Sequence, residues 1–100
     1  MLLRGGLARL DENRVIVTVK TAESPAEFQE VLRQEGIQDV SASQEGNPSD
    51  GVVEVIVDAK GVTMRRARET LGGRDLREID TQAKAIVEAC RRHGAQVLQN

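Results

Sequence analysis

Two valine-rich segments constrain this chain more than any other feature. Val15, Val17 and Val19 alternate with Arg14, Ile16, Thr18 and Lys20, and Val53, Val55, Val57 and Ala59 alternate with Val52, Glu54, Ile56 and Asp58. A period of two is the signature of a β-strand, because successive side chains leave opposite faces of the backbone. Each segment therefore predicts a strand with one strongly apolar face, which folding must cover. Having the richest valine faces, these two strands are expected side by side in the middle of a sheet.

The cover is predicted to come from helices. Ser24-Pro25-Ala26-Glu27 is a capping box with proline at the first helical position, and Phe28, Val31 and Leu32 then share one helical face, predicting a helix over residues 24–35 that ends at Gly36. Residues 37–43 read as a weaker strand with Val40 and Ala42 inward, and Gln44 to Gly51, holding Asn47-Pro48 and Asp50-Gly51, as a hairpin loop. Thr63 can cap a short helix through Met64, Ala67 and Leu71 that stops at Gly72-Gly73. Asp75-Leu76-Arg77-Glu78 repeats the capping signature. Leu76, Ile79, Ala83, Ile86, Val87 and Cys90 then form an apolar stripe running to His93-Gly94, with Asp80-Thr81 as a point where the helix could restart. Residues 95–98 supply a last short strand. Upstream, Leu7-Ala8-Arg9-Leu10 followed by Asp11-Glu12-Asn13 suggests an additional strand and turn, or else residues 1–10 form a flexible or sheet-covering segment.

This order predicts an α+β fold: a ferredoxin-like, split β-α-β-β-α-β two-layer sandwich. Its sheet is mostly antiparallel, and its second crossover is enlarged into two helices. One hundred residues suit a single domain over the whole chain, and 39% hydrophobic with 30% charged residues suits a folded globule rather than a disordered tail. Arginines interrupt the apolar start of the chain, as a secretory signal does not allow, and no apolar run approaches the roughly 20 residues needed to cross a bilayer. With Cys90 as the one cysteine, no intrachain disulfide is possible, so a cytoplasmic location is expected. The 11 arginines against 3 lysines hint at a bacterial or phage source. An engineered origin is disfavoured by the irregular loops and the single cysteine.

In such a plan the helices cover one face of the sheet, which leaves Ile16 and Thr18 on one central strand and Val52 and Ile56 on the other facing away from them. Either the N-terminal segment, with Leu2, Leu3, Leu7 and Leu10, folds over these residues, or a partner chain does. The only aromatic residue is Phe28, on the core side of the first helix, so the face cannot stack nucleic-acid bases.

Charge is uneven: residues 1–59 hold 5 basic and 11 acidic side chains, residues 60–100 hold 9 and 5. Arg65, Arg66, Arg68, Arg74 and Arg77 gather around the glycine pair before the last helix and could contact phosphate, although Glu69, Asp75, Glu78 and Asp80 are interleaved with them. Neither a P-loop nor a Gly-x-Gly-x-x-Gly is present. Cys90 and His93 lie three apart on one helix, a spacing open to a thiol-imidazole pair, yet Cys90 belongs to the buried stripe and His93 to the helix end. The carboxylates Glu54 with Asp58 and Glu27 with Glu30 fit exposed positions. No metal-ligand set, cofactor loop or catalytic constellation emerges, so the chain is read as a non-enzyme without cofactors.

Three functions follow. The leading one is a non-catalytic protein-binding or regulatory module that acts as a homodimer, or with another protein, through its sheet face (Ile16, Thr18, Val52, Ile56) or edge. The second is a nucleic-acid or phosphate-binding protein using the five arginines. The third is a small enzyme or ligand carrier whose site is completed by a second subunit.

Overall fold

The computed structural model describes residues 2–58 and 74–100. The two valine segments form β3 (Arg14–Lys20) and β5 (Val52–Asp58), paired antiparallel along their full length, with Val17 opposite Val55. Four shorter strands complete the sheet: β1 (Leu2–Leu3), β2 (Ala8–Asp11), β4 (Val40–Gln44) and β6 (Gln96–Val97). The path across it is β1-β2-β3-β5-β4, with β6 also on β3, and every strand pair among the described residues is antiparallel. Helices α1 (Pro25–Gln34) and α2 (Arg74–Arg92) pack on one face of it, so the fold is α+β. The short helix expected at residues 63–71 lies outside the described residues.

The odd-numbered residues of β3 and β5 point to the helices. Val15, Val17, Val19, Val53, Val55 and Val57 form one buried cluster with Phe28 and Leu32 of α1 and Ile79, Ala83, Ile86, Val87 and Cys90 of α2. Burial of each of these larger side chains stabilises the fold by about 1.5–3 kcal/mol. Ser24 starts α1 as its sequence predicts: its Oγ accepts from the Glu27 amide at 3.2 Å and donates to Glu27 Oε1 at 3.1 Å. Helix α2 runs unbroken through Asp80-Thr81, where Thr81 Oγ1 donates back to the Arg77 carbonyl at 2.9 Å.

Both helices end alike. Gly36 (φ 90°) donates to Arg33 O and Ile37 to Leu32 O, while Gly94 (φ 78°) donates to Arg91 O and Ala95 to Cys90 O. Each glycine takes the left-handed conformation, and the apolar residue after it turns back onto the core. This explains why β4 begins at Val40 rather than at the expected residue 37: Ile37 belongs to the helix stop, and Asp39 has a positive φ of 55°.

The N-terminal segment does not cover the outer face. Arg4, Gly5 and Gly6 all adopt positive φ and fold β1 back on β2, which pairs with the first half of β3. Leu3, Ala8 and Leu10 thereby enter the core on the helix side, and the sheet is widened rather than covered. The end of the chain takes the other half of the same β3 edge: Val97 lies opposite Val19, and the Leu98 amide donates to Thr18 O at 2.8 Å. Where the two segments meet they are stitched together. The Asn100 amide donates to Gly6 O at 2.8 Å, and Gln99 Nε2 donates to Gly5 O.

Candidate functional site

The sheet face opposite the helices is built by the even-numbered residues of β3 and β5. The register places Leu2, Arg9, Ile16, Ile56 and Ser41 in one row across five strands. Thr18, Glu54 and Ser43 form the next row, Lys20 and Val52 lie beyond it, and Arg14 stands opposite Asp58 at the other end. Ile16, Thr18, Val52 and Ile56, the four residues expected to mark an interface, therefore share one surface. Among the described residues no helix packs on it.

Ile16 differs from the expectation of an outward, water-facing isoleucine: it is 1% exposed although it lies outside the helix-side cluster. Arg9 on β2 reaches across β3 to Glu54 on β5, with Nη2 3.7 Å from Oε2, and its Nη1 lies 3.9 Å from Asp11 Oδ2. The arginine stem thus arches over the row in which Ile16 sits, keeping its charge in water while its methylenes cover apolar surface. Thr18, Val52 and Ile56 remain half-buried, and Leu2, at the end of the row, is 59% exposed. Glu54 is accordingly half-buried and paired, not the exposed carboxylate its sequence position suggests. No local signal announces the arch, because Arg9 and Glu54 are distant in sequence and meet only through the two registers.

One donor on the outer edge of β4 is occupied. Gln29 Oε1, from α1, accepts the Ala42 amide at 3.0 Å, so a donor that another strand could use is already occupied.

Comparison with protein-family models, curated proteins and solved structures finds no match.

Of the five arginines, Arg65, Arg66 and Arg68 lie outside the described residues, Arg74 begins α2, and Arg77 is exposed on it. Elsewhere, Arg4, Lys84 and Arg91 line a recess of about 350 Å³ with Glu88. Two of the three are engaged, Arg4 with Asp80 at 3.2 Å and Lys84 with Glu88 at 4.0 Å.

Cys90 and His93 are placed in different environments. Cys90 is fully buried, and desolvation pushes its thiol up to about 12, so it does not form a thiolate at neutral pH. His93 turns to Glu35 instead, with Nε2 3.0 Å from Oε1, while Arg92 Nη2 and Nε donate to Glu35 Oε2 at 2.6 and 3.1 Å. Glu35 caps the end of α1, where a carboxylate meets the negative end of the helix dipole. The Arg92 hydrogen bonds, and after them that of His93, hold its carboxyl below the ordinary value. The cluster clasps the two helix ends together. No described helix is long and apolar enough to cross a membrane.

Proposed function

We propose that the chain is a non-catalytic protein-binding module that associates with a second copy of itself through the outer face of the sheet. The observation that supports this most directly is the row Leu2, Arg9, Ile16 and Ile56, in which the exposed Leu2 and the half-buried Ile56 are aligned by register on a face that no described helix covers. Apolar residues brought together in this way mark interaction surfaces more often than isolated ones do. The arch of Arg9 over Ile16 supports the same reading, because it limits the apolar area that a monomer exposes while leaving Ile56 and Val52 available to a partner.

The pairings β6 with β3, β3 with β5 and β5 with β4, with α1 and α2 as the crossovers, support reading the core as a split β-α-β-β-α-β sandwich. The hairpin of β1 and β2 is then an addition at the β3 edge. One buried cysteine fits a cytoplasmic setting for such a module. Strands about 4.8 Å apart and residues rising about 3.4 Å give the face a footprint of roughly 20 by 20 Å, or about 400 Å² per copy, which is below the range of stable interfaces and in that of weak, transient ones. The dimer is therefore expected to depend on concentration.

Light scattering coupled to size exclusion tests the proposal. Wild-type protein is expected to run as a dimer, and Ile56→Asp as a folded monomer of unchanged circular dichroism. A variant that keeps the wild-type mass removes the sheet-face reading. An absorption spectrum separates the nucleic-acid alternative, because a chain with no Trp or Tyr has almost no absorbance of its own at 260–280 nm. A nucleotide band that high salt removes would favour that alternative.

A further inference from the structure

Apart from Arg9 of β2, which is already paired with Glu54 and Asp11 of its own chain, the outer face carries its charges in an ordered way. Its two central strands divide them by sign: β3 presents Arg14 and Lys20, and β5 presents Glu54 and Asp58. They are also divided by level, since Arg14 lies opposite Asp58, Ile16 opposite Ile56, Thr18 opposite Glu54, and Lys20 opposite Val52. This segregation distinguishes the two ways in which two copies could meet face to face about a two-fold axis centred on β3 and β5.

If the axis runs across the strands, β3 lies on β3 of the second copy in the opposite direction. Arg14 then meets Lys20 in both halves of the interface, and like charges oppose each other. If the axis runs along the strands, β3 lies on β5 of the second copy. Arg14 then meets Asp58, Thr18 meets Glu54, and Ile56 lies over the level of the buried Ile16, each juxtaposition occurring twice as an isologous interface requires. Juxtaposed like charges select strongly against a wrong arrangement, and opposite charges fix the register of a right one.

Resting on the sheet-face reading above, we infer that the partner is a second copy related by a two-fold axis parallel to β3 and β5, so that β3 of each copy packs on β5 of the other. Arg14 and Asp58 are the residues that set this arrangement. Arg14 is held toward the face from within its own chain by Asp11 Oδ2, 3.4 Å from Nη2. The inter-copy contact thus extends an existing acidic-basic row instead of creating an isolated buried pair. The half-buried Ile56 of each copy lies toward the centre and the charged pairs at the rim, as in interfaces generally.

The test uses two full-length chains with reversed charges. Arg14→Asp sets an introduced aspartate against Asp58 of an identical chain, and Asp58→Arg sets an introduced arginine against Arg14. Each variant alone is expected to dissociate at least about tenfold more readily than wild type. Mixed together, the two chains bring the introduced aspartate of one onto the introduced arginine of the other, and the retained Asp58 of the first onto the retained Arg14 of the second. A heterodimer is therefore expected, detected by native mass spectrometry. Glu30→Arg makes the same acid-to-base exchange as Asp58→Arg but on α1, away from the face. It is the control and is expected not to pair preferentially with Arg14→Asp.

Two monomeric variants that fail to combine, or an Arg14→Asp chain that combines equally well with the Glu30→Arg control, overturn the proposed two-fold. In that outcome a dimer broken by Ile56→Asp still leaves the face itself as the interface. A wild-type chain that is monomeric at all concentrations removes both. Circular dichroism of each single variant checks that the fold persists, so that loss of association is read as loss of the contact.

Discussion

The two faces of β3 show how a strand can carry two different instructions. On one side Val15, Val17 and Val19 are fully buried under α1 and α2. On the other, Arg14, Ile16, Thr18 and Lys20 meet no helix among the described residues, yet Ile16 is just as inaccessible. The first face is dry because whole elements cover it. Across the second, among the described residues, one arginine stretches toward a glutamate two strands away. A helix layer is hard to remove. An exposed side-chain arch can swing aside, because a solvated ion pair of this kind contributes only about 0–1 kcal/mol.

The comparison is broken most directly by paired truncations. Phe28→Ala, beneath α1, is expected to lower unfolding free energy by about 3–5 kcal/mol in urea titrations, as for a large core side chain replaced by a cavity. Ile56→Ala, measured at concentrations where the protein is dissociated, is expected to change it by less than about 1 kcal/mol. Equal losses from the two would show that the faces are not distinct. Ser24→Ala, which removes the α1 cap, is expected to cost about 1 kcal/mol and to leave association unchanged, because it acts on the helix layer alone.

Smaller effects sharpen the contrast. Arg9→Ala is expected to cost less than about 1 kcal/mol of stability while increasing binding of a hydrophobic dye, since it uncovers Ile16 without disturbing the core. An unchanged dye signal would mean that something else shields Ile16. Glu35→Gln provides a pH control away from both faces. The Glu35 carboxyl is held below its ordinary 4.5, so in the unfolded chain it binds protons more readily than in the folded one. Its contribution to stability is complete above that value and is lost as pH falls through the lower folded value. Wild type is thus expected to lose more stability than Glu35→Gln between neutral and strongly acid pH, and identical profiles would remove the helix clasp as a stabilising element.

Much of the fold could be read locally. The alternating valines specified β3 and β5, and the box at Ser24 with the stripe on Phe28 and Leu32 specified α1, because each rests on neighbours in the chain. The apolar stripe from Ile79 to Cys90 likewise specified α2. What was not legible depends on registers between distant segments. Arg9 and Glu54 meet only because β2 and β5 both pair with β3, and Glu35 meets Arg92 and His93 only because two helix stops converge. The fate of the N-terminal leucines was also open, since an edge strand and a covering segment have the same apolar composition. Positive φ at Arg4, Gly5 and Gly6 decides for the edge strand. Of the candidate site, the grouping of Ile16, Thr18, Val52 and Ile56 followed from alternation alone, whereas the near-complete burial of Ile16 did not.

Sedimentation equilibrium with interference optics, suited to a chain without Trp or Tyr, tests the central claim most directly when run over a dilution series of the wild-type protein. The expected result is a mass that falls from twice 10.9 kDa toward 10.9 kDa on dilution, with Ile56→Asp at the lower value throughout. A wild-type mass of 10.9 kDa at every concentration would contradict the proposal that the outer face of the sheet joins two copies of the chain.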